Sequence, residues 1–137
     1  MLLSIQVLVA LIVGAFYYMV AVVLTVYDGI GSFIFQPVMG LICSFIIIIP
    51  CLIVGLPIRF YEKLHCLWKR YWWFPFVLGT IGFLLMYLAN LSYYQVLVYD
   101  SLLEQEVVSL NPTLYVSGWV LTIFAVLHFY PPWARKT

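Results

Sequence analysis

The sequence predicts an all-α integral membrane protein, an antiparallel bundle of four transmembrane helices with N- and C-termini cytoplasmic. Three observations predict it. The chain of 137 residues is 66% hydrophobic and only 8% charged, with a mean hydropathy of +1.13, whereas a soluble domain carries about a quarter charged residues. Its charges fall between four charge-free stretches, residues 1–27, 29–58, 71–99 and 107–134. Apart from Glu62, the charges in those gaps are sorted by sign. Each stretch is long enough for one crossing, which takes roughly 20 apolar residues at 1.5 Å rise, and too short for two. The same composition excludes nucleic acid as a partner, since a net charge of +1 supplies no basic footprint. It also excludes a disordered chain, which requires low hydrophobicity.

The spans are placed at about residues 5–27, 38–58, 73–94 and 113–133 of a single transmembrane domain covering 1–137. Continuous blocks such as Ile46–Ile49 argue for helices, because barrel strands would alternate apolar with polar residues. The first stretch has no basic leader and no A-x-A-like site, so it reads as a retained helix rather than a cleaved signal. Pro37 and Pro112 stand where the second and fourth helices are expected to start, a position where the missing N–H is not needed. Asn111 is placed to act as an N-cap. Trp72, Trp73 and Trp133 mark one membrane interface, and Tyr27, Tyr93, Tyr94 and Tyr99 the other. A weak repeat, Tyr17-Tyr18 with Asp28 against Tyr93-Tyr94 with Asp100, is the pattern two parallel hairpins would leave.

Orientation follows from the cations, which translocate poorly. Arg59, Lys63, Lys69 and Arg70 lie between the second and third spans, and Arg135 and Lys136 follow the fourth. Four crossings put both groups on one side, the cytoplasm. Asp28, Asp100, Glu104 and Glu106 then face outward from loops 28–37 and 95–112.

Two segments outside the bilayer carry candidate partner contacts. Segment 59–71 gathers Phe60, Leu64, Leu67, Trp68 and Tyr71 on one helical face, the pattern of a short interfacial helix that anchors two spans. Its Arg59, Lys63, Trp68, Lys69 and Arg70 are also the candidate docking residues for a cytoplasmic partner. In the outer loop, Asp100 with Glu104 suits a helical turn extending the third span, and Glu104 and Glu106 are candidate contacts there.

Within the spans, the candidate packing and kink residues are Pro50, Gly79, Gly82, Ser117 and Gly118. Small residues let helix backbones approach, and Pro50 frees the carbonyl of Ile46, with Ser44 available to compensate. Gly55 beside the kink raises the option of a hinge. Ionisable groups inside a membrane usually mark proton or substrate paths. The only candidates are His128 and the span-end Asp28; His128 and His65, weighed as a haem ligand pair, both read more simply as membrane-interface histidines. Cys43 and Cys51 read as small packing residues and Cys66 as a reduced cytoplasmic thiol. No catalytic motif, metal set or cofactor signature is found.

The expected function is therefore that of a small non-enzymatic multipass protein, an accessory, assembly or immunity-type partner of another membrane component. The expected location is the bacterial inner membrane, and the expected partners are the lipid bilayer with a membrane protein or further copies of the chain. A small homo-oligomeric transporter or channel subunit is the alternative.

Overall fold

The computed structural model describes residues 2–25, 30–91, 93–100, 105–109 and 111–130. Among them the chain is mostly helical: α1 (Leu2–Thr25), α2 (Ile30–Phe60), α3 (Glu62–Arg70), α4 (Phe74–Asn90) and α5 (Pro112–Leu127), with one antiparallel hairpin, β1 (Val96–Asp100) and β2 (Gln105–Ser109), between α4 and α5. Two helices are long and apolar enough to cross a membrane, through Leu3–Val20 and Phe35–Phe60. They become three if α3 and α4, bent by 73° at a short break, are counted as one span. Helix α5 is equally apolar but has 16 residues, about 24 Å at 1.5 Å each.

Helix α5 is the centre of the packing, in contact with α4, α1 and α2. It buries Tyr115, Gly118, Trp119, Thr122, Ile123, Ala125 and Leu127. Helices α1 and α2 pair antiparallel, because Gln6 meets Arg59 at one end while Tyr18 meets Gln36 at the other. The core joins Ala10 and Tyr17 of α1, Ile48 and Cys51 of α2 and Ala89 of α4 to α5. The outward faces stay apolar: Leu8, Ile12 and Phe16 on α1 and Phe45, Ile46, Ile53 and Val54 on α2 are all exposed. That is far more apolar surface than soluble monomers leave bare.

Several boundaries depart from the sequence expectation. Helix α2 begins at Ile30, so Pro37 lies inside it together with Pro50 and Pro57. The apolar run on both sides of Pro37 outweighs one missing hydrogen bond. The segment 95–112, expected as a loop with a helical turn, forms the hairpin, with Val96 opposite Ser109 and Asp100 opposite Gln105. Val96, Val98, Tyr99, Val107 and Val108 are β-branched or aromatic and favour a pleated surface over a helix. Helix α5 stops at Leu127, and His128 closes it. Pro131 and Pro132 follow and bias the preceding residue away from helix. Asn111 caps α5 as expected, its side-chain oxygen accepting from Thr113 N at 3.1 Å and Leu114 N at 3.2 Å. Asp28, Glu104, Trp133, Arg135 and Lys136 lie outside the described residues.

Candidate functional site

The densest polar chemistry gathers where α5 ends. A helix leaves its last carbonyls without partners, and in an apolar surrounding each such group is costly. Here three other segments supply donors. Arg59 at the end of α2 donates to Leu127 O at 3.0 Å and to Gln6 Oε1 at 3.3 Å. Gln6 of α1 donates to Phe129 O at 2.7 Å. Trp68 of α3 donates its indole N–H to His128 O at 2.7 Å. A cation at a helix C-terminus also opposes the helix dipole favourably.

His128 sits inside this cap and is fully buried. Its Nε2 lies 3.2 Å from Cys51 O, and its ring packs on Phe124 with centroids 4.5 Å apart. The ring fits because position 55 is glycine: a Cβ there would overlap the imidazole. Gly55 is thus the seat of His128, a role distinct from the hinge considered from sequence. Nearby, His65 meets the Tyr130 ring edge-on at 4.9 Å. Among the described residues, His128 Nδ1, His65 Nδ1 and Arg59 Nε have no hydrogen-bond partner.

A second polar knot lies deeper, where α1, α4 and α5 cross. Tyr17 donates to Gly82 O at 3.2 Å, a second carbonyl, Tyr115 O, lies 3.3 Å from the same hydroxyl, and Tyr115 donates to Tyr17 O. Gly82 and Gly118 face each other at the α4–α5 crossing. A Cβ on Gly82 would strike Thr122 Oγ1 and Gly118 O, and one on Gly118 would strike Tyr17 Oη and Gly82 O.

A cavity of about 550 Å³ lies between α1 and α4, which both pack on α5. Its walls are apolar residues such as Val9, Val13, Phe76 and Phe83, with Gly79 and Ala125 at the floor and Gln6 at one end.

The sequence candidates are dispersed by this arrangement. Arg59 and Trp68 turn inward to the α5 cap, whereas Lys63, Lys69 and Arg70 remain exposed on α3 and Glu106 is exposed on β2. On α3 it is His65 and Trp68 that face the protein, while Leu64 and Leu67 stay exposed, as does Phe60 at the end of α2. Gly82 and Gly118 meet; Gly79 lines the cavity, Ser117 is exposed, and Pro50 lies on the outer face of α2. Ser44 donates to Gly40 O at 2.6 Å, on its own helix, and not to the Ile46 carbonyl opposite Pro50. Gln6, Tyr17 and Tyr115 were missed as site residues. The available signals were one amide within an otherwise apolar first helix and tyrosines placed away from either interface. Among the described residues no three His, Cys, Asp or Glu side chains gather as a metal set. Comparison with protein-family models, curated proteins and solved structures finds no match to this chain.

Proposed function

We propose that the chain crosses a bacterial inner membrane four times, as an antiparallel bundle with both termini cytoplasmic, and acts there as a non-enzymatic accessory, assembly or immunity-type partner of another membrane component. The observation that carries this reading is how the polar side chains are used. Tyr17, Tyr115, Gln6, Arg59 and Trp68 direct hydrogen bonds to backbone carbonyls of other segments, Ser44 and Thr122 direct theirs to carbonyls of their own helices, and the outward faces of α1, α2 and α4 are apolar. Polar groups committed to stitching helices together make a rigid body whose chemistry toward its surroundings is surface contact. Helices α4 and α5, at 17 and 16 residues, cover about 25 Å each.

The partner is met through those helix faces, through the exposed cations Lys63, Lys69 and Arg70 of α3, or through the acidic stretch of the chain that carries Glu104 and Glu106. The test is affinity purification of the full chain from its native membrane in mild detergent, with measurement of the particle mass and of solute flux in liposomes. Co-purification of one specific membrane protein in fixed ratio, without flux, is the expected result. A homogeneous homo-oligomer that conducts or transports a solute would overturn the accessory role in favour of a transporter or channel.

A further inference from the structure

We propose that the cavity between α1 and α4 seats one acyl chain of an anionic phospholipid, drawn from the leaflet on the Arg59 side, with the headgroup phosphate on the Arg59 guanidinium. The inference rests on the membrane reading above, and five features of the cavity lead to it.

Its length matches one leaflet. The lining runs from Ile5 to Val13 on α1 and from Pro75 to Phe83 on α4, about 12 Å along each helix, close to half of a hydrocarbon core of about 30 Å. Its deep end is closed, because Tyr17 and Phe83 meet there with ring centroids 5.8 Å apart and Tyr17 donates to Gly82 O. A partner's transmembrane helix, about 10 Å wide and crossing both leaflets, would be stopped by that closure, whereas an acyl chain ends at it.

Its walls offer nothing polar along their length. Thr80 and Thr122 both line it, but each donates within its own helix, to Val77 O and Gly118 O, both at 2.8 Å. The mouth is charged and hydrogen-bonding, with Gln6 in the lining and Arg59 bound to it at 3.3 Å. Arg59 is half-buried rather than enclosed, and among the described residues both of its hydrogen bonds leave from Nη2, so the rest of the guanidinium can face a phosphate oxygen. Finally, the floor has room by virtue of Gly79. A Cβ there would meet only Ala125, at 3.9 Å, which is ordinary contact, in contrast to the collisions at Gly82.

Gly79 therefore permits a filling variant that should fold. The full chain is reconstituted in nanodiscs containing phosphatidylglycerol with a photoactivatable diazirine in mid-chain, irradiated, and the adducts mapped by mass spectrometry. The expected adducts concentrate on Val9, Val13 and Phe83, at a higher yield per residue than on the outward-facing Phe45 and Ile53. Gly79→Leu is expected to lower the cavity adducts by about tenfold, the scale of losing about two methylene contacts, with unchanged helicity and an unchanged or higher melting temperature. Arg59→Gln is expected to erase any preference for phosphatidylglycerol over phosphatidylcholine while acyl adducts persist.

Adducts spread evenly over all outward faces and indifferent to Gly79→Leu would overturn the proposal, as would cross-linking of Val9→Cys to a second polypeptide. Extraction of the native membranes at alkaline pH is read separately: release of the chain sinks the membrane reading itself, whereas retention without cavity adducts sinks the lipid site alone.

Discussion

Two buried side chains carry much of the specificity at the level of single residues. Tyr17 is fully buried, yet its hydroxyl reaches backbone on both α4 and α5, so one phenol ties three helices at a common level. Interhelical hydrogen bonds in membrane proteins average about 0.6 kcal/mol and reach about 1.7. Tyr17→Phe should therefore lower stability by about 1 kcal/mol, measured by thermal unfolding in detergent, while leaving the ring contacts with Tyr115 and Trp119 in place. His128 and Gly55 form the other specific pair. Gly55→Ala drives a methyl group into the imidazole and should cost about 1–3 kcal/mol, as overpacking does. In a His128→Ala background the same substitution should cost almost nothing, because the obstacle is gone. An equal penalty in both backgrounds would mean that Gly55 is needed for backbone reasons instead. The sequence marks His128 as unusual but reads it as an interface residue; only its packing against position 55 explains its burial.

Helix ends decide the next level. Helix α5 is the shortest of the apolar helices, and its last carbonyl, Leu127 O, and the two that follow, His128 O and Phe129 O, are closed by side chains from α2, α3 and α1 rather than by another turn of helix. Trp68 is the only link of this kind that α3 contributes among the described residues, and its ring also packs edge-on against Phe74 and Phe124. Trp68→Phe retains most of the ring and loses the donor. It should cost about 1 kcal/mol and should loosen α3, seen as faster tryptic cleavage at Lys63, Lys69 and Arg70 with no change at other sites. The apparent repeat between the two halves does not survive at this level: Tyr17 is fully buried, whereas Tyr93 is 87% exposed. The connection from α4 to α5 inserts β1 and β2. The strands are hard to see in the sequence because the acidic residues Asp100, Glu104 and Glu106 suit a helical turn, while the valines beside them favour pairing.

For the whole molecule, the arrangement around α5 makes a testable statement about sidedness. Cys66 is exposed on α3, Cys43 is half-buried and Cys51 is buried. In the proposed orientation, a membrane-impermeant maleimide should label the wild-type chain at Cys66 alone, in inside-out vesicles and not in intact spheroplasts. A Val108→Cys variant on the exposed hairpin should give the opposite pattern at the new thiol. Labelling of Cys66 from the outer side would invert the topology and with it the proposed partners of the basic segment.

Composition and the spacing of eleven charges were enough to determine that long apolar helices dominate this chain, since both properties are local and a bilayer's thickness converts run length into a span. The Asn111 cap was legible for the same reason, because a cap depends on residues two and three positions away. The tertiary structure alone decided that α5 is the hub, that Gln6, Arg59 and Trp68 close its end, that Tyr17 bridges three helices and that a slot is left between α1 and α4. Those features join residues 60 to 123 positions apart on faces that are almost uniformly apolar. A helix that is hydrophobic all round carries little periodicity to say which side turns inward, so the choice of neighbours falls to side-chain shape and to a few hydrogen bonds that exist only once the helices have met.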